Sequence, residues 1–267
     1  MTAPDAGLLS QLLALSTPDN ALPLVPSPYL LFQSGDYRWL CHPRDAVQSV
    51  MRIEAPAELV LPHQHAMLLA AALPDKVESL LELGTGGGAF LRYVAAHWPT
   101  ARLTSVDNDA QVQQIARQHF GLPPHANLVR DDALGFVQRD RGTYDLVLVD
   151  LFRGREAPSK LTNVQTMVAL SNRLNVGGAI AINTLPDSQA AMVQLLEAAR
   201  DVFGGIALIN FADQGNVVMV LRQQVLPDEH GWLQRLSAAE LESGIKVASI
   251  SSRASGAVQI LSLGVHP

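Results

Sequence analysis

The sequence predicts an α/β chain: a Rossmann-like, mostly parallel seven-stranded sheet that ends in an antiparallel hairpin, preceded by a small N-terminal β domain. Three observations predict it. Apolar runs without alternation, such as Leu80-Leu81-Glu82-Leu83 and Leu146-Val147-Leu148-Val149, read as strands covered by helices on both faces. Such runs alternate with helix-periodic segments from Val77 to Phe203, the pattern of βαβ units. The last two strands are joined only by Ala212-Asp213-Gln214-Gly215, too short for a crossover helix, so that pair must be antiparallel.

Taken in order, the chain opens on a small packing arm with helical spacing (Leu8, Leu9, Leu12, Leu13, Leu15) broken by Pro18, Pro23 and Pro26. Strand patterns over 29–32 and 37–40 flank Ser34-Gly35-Asp36 as a β-hairpin, and 47–53 supplies another strand. Pro62 leads into a helix over 63–73. Strands follow over 77–83, 102–106, 127–130, 145–150 and 178–183, with helices over 89–96, 110–119, 133–139, 163–174 and 187–203 between and after them. The closing hairpin comprises 206–211 and 216–221. A helix over about 229–241 and an apolar tail over 258–265 remain, the tail either adding a strand or packing on a neighbour. The predicted division is an arm (1–26), a small β-hairpin domain (27–62), a larger α/β domain (63–222) and a C-terminal helix and tail (223–267).

Composition narrows the function classes. At 267 residues, 48% hydrophobic and 16% charged, the chain can bury a substantial core. A net charge of −6 argues against general affinity for nucleic acid backbone. Cys41 is the only cysteine, which excludes an internal disulfide and a cysteine-rich zinc site. His63 and His65 lie two apart and do not share a helical face, so no metal is expected. No apolar run approaches the ~18 residues of a spanning helix. Met1-Thr2-Ala3-Pro4-Asp5 lacks the positive charge of a signal peptide, so a cytoplasmic protein without membrane contact is expected.

The chemistry is concentrated in residues 77–107. The first central strand runs into Gly84-Thr85-Gly86-Gly87-Gly88, and the next ends on Asp107. Glycines let the chain turn sharply and bring backbone N–H groups against a ligand. An acid about 20 residues on, at the next strand tip, meets the hydroxyls of a ribose. A nucleoside-binding crevice is therefore expected. Gly84, Gly86 and Ala89 satisfy the dinucleotide fingerprint loosely. Glu82, two residues before the first glycine, is instead the acid of the S-adenosylmethionine (AdoMet) version, and the closing hairpin points to the methyltransferase fold, so NAD is the weaker reading.

Strand ends on the carboxyl side of such a sheet line its crevice, and here they carry Gly84 to Gly88, Asp107, Asp131-Asp132-Ala133, Asp150 and Asn183. Asp107 is expected to accept the ribose hydroxyls and Asp132 the adenine amino group, with the Ala133 N–H toward a ring nitrogen. Asp150 would favour the cationic sulfur and hold the acceptor. An acid at a strand end also caps the following helix, and Asp132 can do both.

At these residues the chain resembles the spermidine synthase-like family of the class I AdoMet transferase fold, over about 29–221. The matching motifs are Val47-Gln48-Ser49; His65-Ala66-Met67-Leu68; Leu83-Gly84-Thr85-Gly86-Gly87-Gly88; Val106-Asp107-Asn108-Asp109; Asp131-Asp132-Ala133; Tyr144 to Asp150; and Gly215-Asn216-Val217-Val218. Phe120-Gly121-Leu122-Pro123 and the segment 158–161 resemble a shorter bacterial subgroup. The resemblance implies AdoMet or its decarboxylated form as cofactor, a small-molecule acceptor and a homodimer. It brings Gln48 and His65 over the cofactor from the N-terminal side, and Asn108 beside Asp107.

Departures from the family pattern bear on the reaction. Aminopropyl-transferring members carry an aspartate within the glycine loop that holds the cofactor's primary amine; the aligned residue is Gly87. They carry Asp-Ser-Ser-Asp after the fourth strand, its second acid binding and deprotonating the attacking amine; the segment here is Asp150-Leu151-Phe152-Arg153. The Tyr and Glu flanking the family histidine are Gln64 and Ala66. A unit-charge pair near 4 Å is worth ~4 kcal/mol at an effective dielectric of about 20, so Arg153 at an amine site reverses a term of that size. Asp150 and Arg153 are accordingly the candidates at the reacting centre. Arg153, Arg155 and Lys160 form a basic loop suited to an anionic acceptor, or simply a solvated one.

Asp/Asn-Pro-Pro-Tyr, the pattern of nucleic-acid amino-methylating enzymes, is absent after the fourth strand. Three readings stay open: a methyl- or aminopropyltransferase with methyl transfer favoured by Gly87 and Arg153, a true aminopropyltransferase whose amine is held by Glu156 or Asp187, and a non-catalytic nucleoside-binding dimerisation module.

Overall fold

In the computed structural model, the described residues are 7–24, 27–42, 46–152, 159–186, 188–210, 216–227, 231, 234–235 and 258–261. The N-terminal part forms helix α1 (Gly7–Ala14) and strands β1 (Ala21–Leu22), β2 (Leu30–Ser34), β3 (Tyr37–Cys41) and β4 (Val47–Arg52). They make a four-stranded antiparallel sheet in sequential order, β1 being a strand the proline-rich sequence did not suggest. Alternation gives the sheet two apolar faces. Phe32, Trp39, Cys41 and Val50 pack against Leu12 of α1.

Helix α2 (Pro62–Leu68) and a 3-10 turn that extends it (Leu69–Ala72) lead into the second β-sheet, whose first strand in the chain is β5 (Ser79–Leu83). Then come α3 (Ala89–His97), β6 (Arg102–Asp107), α4 (Ala110–His119), β7 (Asn127–Arg130), α5 (Ala133–Arg139) and β8 (Tyr144–Val149). Next are α6 (Val164–Ser171), β9 (Leu174–Thr184), α7 (Gln189–Arg200), β10 (Gly205–Asn210), β11 (Val217–Arg222) and β12 (Val258–Leu261). The sheet order is β12-β10-β11-β9-β8-β5-β6-β7. β7 through β9 are parallel, and β11 lies antiparallel between β9 and β10, as the short connection required. The tail adds an eighth strand, antiparallel to β10 at the outer edge. The helix expected over 229–241 lies almost wholly outside the described residues.

Each strand divides its side chains between two cores. Leu80, Leu146, Leu148 and Ala181 face α2 and α3, while Leu81, Leu83, Val147 and Ile182 face α5, α6 and α7. This is why the strands read as unbroken apolar runs. The helix expected over 163–174 stops at Ser171, because Leu174 pairs with Tyr144 and opens β9. The sheet's other N-terminal face packs on the larger unit: Leu31, Leu40 and Met51 share a cluster with Val112, Ile115 and Phe120 of the α4 region. The small sheet is therefore seated beside the carboxyl ends of β5 and β6. Among the described residues no helix is long and apolar enough to cross a membrane.

Candidate active site

Strand order reverses between β5 and β8, and in an open α/β sheet ligands bind at such a switch point. The glycine loop leaves β5 there. Gly84, Gly86 and Gly88 have φ of +96°, +46° and +68°, the left-handed region that only glycine enters freely. Gly84 is fixed more tightly than φ alone requires: a Cβ on it would lie 2.3 Å from the carbonyl oxygen of Asp150. Its N–H donates to Val106 O at 2.8 Å, so the loop is clamped between β6 and β8.

Asp107 ends β6 and holds the loop from the side. Its Oδ2 accepts the Thr85 N–H at 3.0 Å and its Oδ1 the Asp109 N–H at 2.9 Å. Burial pushes the Asp107 carboxyl up; N–H groups of Asp109, Thr85 and Gly86 oppose that rise without cancelling it. Asn108 beside it is exposed. Asp109 caps α4 and accepts the Tyr29 hydroxyl at 2.8 Å, a link to the small sheet that spans 80 positions of sequence.

Glu82 lies beneath the loop, 1% exposed, accepting the Ser105 hydroxyl at 2.6 Å. Burial drives its carboxyl up to about 8, with the Asp150 and Asp107 charges adding to the rise and Ser105 and Arg92 opposing it. A carboxyl raised in the folded state contributes stability at low pH that is lost as pH climbs from its ordinary value of 4.5 to about 8. Glu82→Gln should therefore melt near the wild-type temperature at pH 5 and above it at pH 8.5; equal midpoints at both pH values would remove the claim.

On the next strand, Asp131 N–H donates to Asp107 O at 3.1 Å, so the tips of β6 and β7 are adjacent. Asp132 caps α5, its Oδ1 accepting the Gly135 N–H at 2.7 Å, and its side chain is exposed; Ala133 behind it is buried. Asp150 Oδ1 accepts the Asn183 amide at 2.9 Å, and Asn183 Oδ1 accepts that of Asn216 at 3.0 Å. Burial would raise the Asp150 carboxyl, but the His63 ring and the Asn183 amide outweigh it and hold it below the usual carboxylate range.

The structure brings Glu82, Asp107, Asp150 and the loop of Gly84, Gly86 and Gly88 together at the switch point, with Asp132 and Ala133 at the tip of β7. His65 turns its Nε2 to Leu59 O at 2.9 Å, and the imidazole at Asp150 belongs to His63, with Nε2 3.8 Å from Oδ2. Gln48 is the extra residue of a β-bulge, where register shifts between Leu40 and Cys41. Its neighbour Ser49 reaches the loop, its Oγ accepting the Gly87 N–H at 2.7 Å. Arg153, Arg155, Glu156 and Asp187 lie outside the described residues; Lys160 is exposed.

Arg92 of α3 went unread because it looks like an ordinary exposed helix cation. It is 5% exposed and donates to three carbonyls: Gly87 O in the loop, Phe120 O at 3.1 Å and Pro56 O at 2.6 Å. Burial pulls its guanidinium down to about 10, against the pull of Glu82. It ties together the glycine loop, the segment that follows β4 and the end of α4.

The crevice suits a cationic nucleoside. The glycine loop lies against three carboxyl groups from adjacent strand ends, two of them, Glu82 and Asp107, pushed up chiefly by burial. Among the described residues no cluster of His, Cys, Asp or Glu is fit to hold a metal ion.

The chain is similar to several known proteins. A family profile described as a methyltransferase domain matches residues 80–171. A polyamine aminopropyltransferase of Chromobacterium violaceum is 31% identical over 216 residues, covering 79% of this chain and 82% of that protein. A probable spermidine synthase from Corynebacterium glutamicum superposes with a TM-score of 0.71 at 20% identity, over 92% of this chain and 98% of the other. Human Methyltransferase-like protein 13 in complex with SAH gives 0.58 at 18% identity, over 72% and 93%. The two structures speak for the fold alone.

Proposed function

Since the chain belongs to the polyamine aminopropyltransferase family, we propose that it is an AdoMet-type transferase that moves a methyl group to a small acceptor. One observation carries the choice of group. The glycine-loop position where aminopropyl-transferring relatives are expected to hold the cofactor's primary amine with an aspartate is Gly87. A Cβ there would lie 2.9 Å from Ser49 Cβ and 3.1 Å from the Phe120 ring, so the space an acid would need is already occupied. Arg153, in place of the family's second acid, supports the same choice.

In this reading Asp107 takes the ribose hydroxyls, Asp132 and the Ala133 N–H take the adenine, and Asp150 faces the sulfur. The loop's N–H groups approach the amino-acid end. When bound, the cofactor supplies an alkyl group on positive sulfur, a good leaving group, so positioning carries most of the catalysis. The second reading, aminopropyl transfer, is favoured by the activity named for the Chromobacterium relative and by Asp150 at the end of β8.

Calorimetry with AdoMet and with its decarboxylated form separates the two. AdoMet is expected to bind at least as tightly. A clear preference for the decarboxylated form would overturn methyl transfer in favour of the polyamine reading. Arg153→Asp should raise whatever putrescine activity the protein has, and no change would weaken the charge argument.

A further inference from the structure

We propose that His63 is the general base of the transfer, oriented by Asp150. The inference rests on the transferase reading above and concerns how the acceptor loses its proton. The family's proton-accepting carboxylate is expected at a position where this chain has Arg153, which cannot serve. The other acids of the crevice are already engaged. Asp107 accepts backbone N–H groups on both oxygens, and Glu82 is buried against Ser105. Asp150, kept ionised by its partners, is a weak proton acceptor but a good counter-charge.

His63 stands opposite it. Its Nε2 is 3.8 Å from Asp150 Oδ2, and the two side chains are 15% and 21% exposed, reachable from the crevice yet largely out of water. The ring is placed by the start of α2, where Pro62 opens the helix and the Gln64 side chain accepts the Leu61 N–H at 3.1 Å. Asp150 is placed by the chain Asn216 to Asn183 to Asp150 Oδ1, which leaves Oδ2 toward the imidazole. This is the arrangement of a base whose orienting acid is itself oriented. The separation is longer than a hydrogen bond, as apo catalytic pairs commonly are before substrate closes them.

With Nε2–H turned to the carboxylate, the ring's lone pair is on Nδ1. The acceptor's N–H or O–H bond breaks, its proton bonding to Nδ1 and its electron pair staying on the acceptor as the nucleophile. The positive charge then rests on the imidazole with Asp150 facing it. Neither Gln64 nor Ala66, which flank His65, offers such a group.

The test uses the full chain in three measurements. In nitrogen-15 histidine spectra of the cofactor-free protein, the signal lost in His63→Asn should report the Nε2–H tautomer; an Nδ1–H tautomer would overturn the proposal. His63→Asn should bind AdoMet within about threefold of wild type. With AdoMet and a panel of putrescine and simple phenols, its kcat should fall by about 10²–10⁴. Added imidazole should restore part of the rate to His63→Ala, which a packing role would not produce. Asp150→Asn, whose fold is checked by its melting temperature, should lower kcat as well. A His63→Asn kcat within threefold of wild type overturns the base while leaving the transferase reading intact. Wild type that fails to bind AdoMet overturns that reading, and the base with it.

Discussion

Asp107→Ala is expected to abolish AdoMet binding in a calorimetric titration. The carboxylate sits at the tip of β6, next to the glycine loop, where a ribose would present both hydroxyls. Two hydrogen bonds to a charged group, at ~1.5–3 kcal/mol each, correspond to a loss of about 10²–10⁴ in affinity. The same carboxylate holds the Thr85 and Asp109 N–H groups, so its removal also frees the loop that must receive the cofactor. Asp107→Asn keeps the shape and one acceptor oxygen, and should lose less. Affinity unchanged in Asp107→Ala would mean that the nucleoside binds elsewhere.

Gly84→Ala is expected to damage stability and binding together. The residue has φ +96°, where an L side chain is strained. The obstacle at 2.3 Å is the backbone oxygen of Asp150, which cannot swing aside as a side chain does. Asp150 N–H donates to Leu83 O at 2.9 Å, so relief requires parting β5 from β8. A cost of ~3 kcal/mol is in the range of strain at special backbone positions. For a chain of this size that lowers the melting temperature by about 6–12 °C. Gly88→Ala is the informative control: its Cβ would meet only the Leu122 side chain, which can move, so it should cost less. Equal melting temperatures for wild type and Gly84→Ala would contradict the clamp between β6 and β8.

The parts of the fold legible in the sequence are those with local causes. Runs such as 145–150 announce strands covered on both sides, and the four-residue link after Phe211 dictates an antiparallel partner. Asp132 at a strand end before a helix-periodic segment marks a helix start, and it caps α5. β1 is two residues long and set by pairing with β2 alone, so no periodicity could reveal it. The bounds of β9 were misjudged because Leu174 continues the apolar spacing of α6 while its backbone pairs with Tyr144.

The site was legible where one strand tip supplies one residue, and illegible where distant segments meet. Asp107, Asp150 and the glycines follow from topology. Ser49 with Gly87, Tyr29 with Asp109, and Arg92 with Pro56 are links across 36 to 80 positions, and sequence spacing carries no trace of them. His63 was set aside because two histidines two apart cannot share a helical face. That reasoning correctly separated them; it could not say which would face Asp150. The anionic-acceptor idea draws on Arg153 and Arg155, which lie outside the described residues, and on Lys160, which is exposed.

The most direct test of the crevice is a crystal structure with S-adenosylhomocysteine. The account predicts both ribose hydroxyls within hydrogen-bond reach of the Asp107 carboxylate, the adenine edge at Asp132 and Ala133, and the sulfur toward Asp150. A nucleoside bound away from the glycine loop, with Asp107 still occupied only by the Thr85 and Asp109 N–H groups, would contradict it.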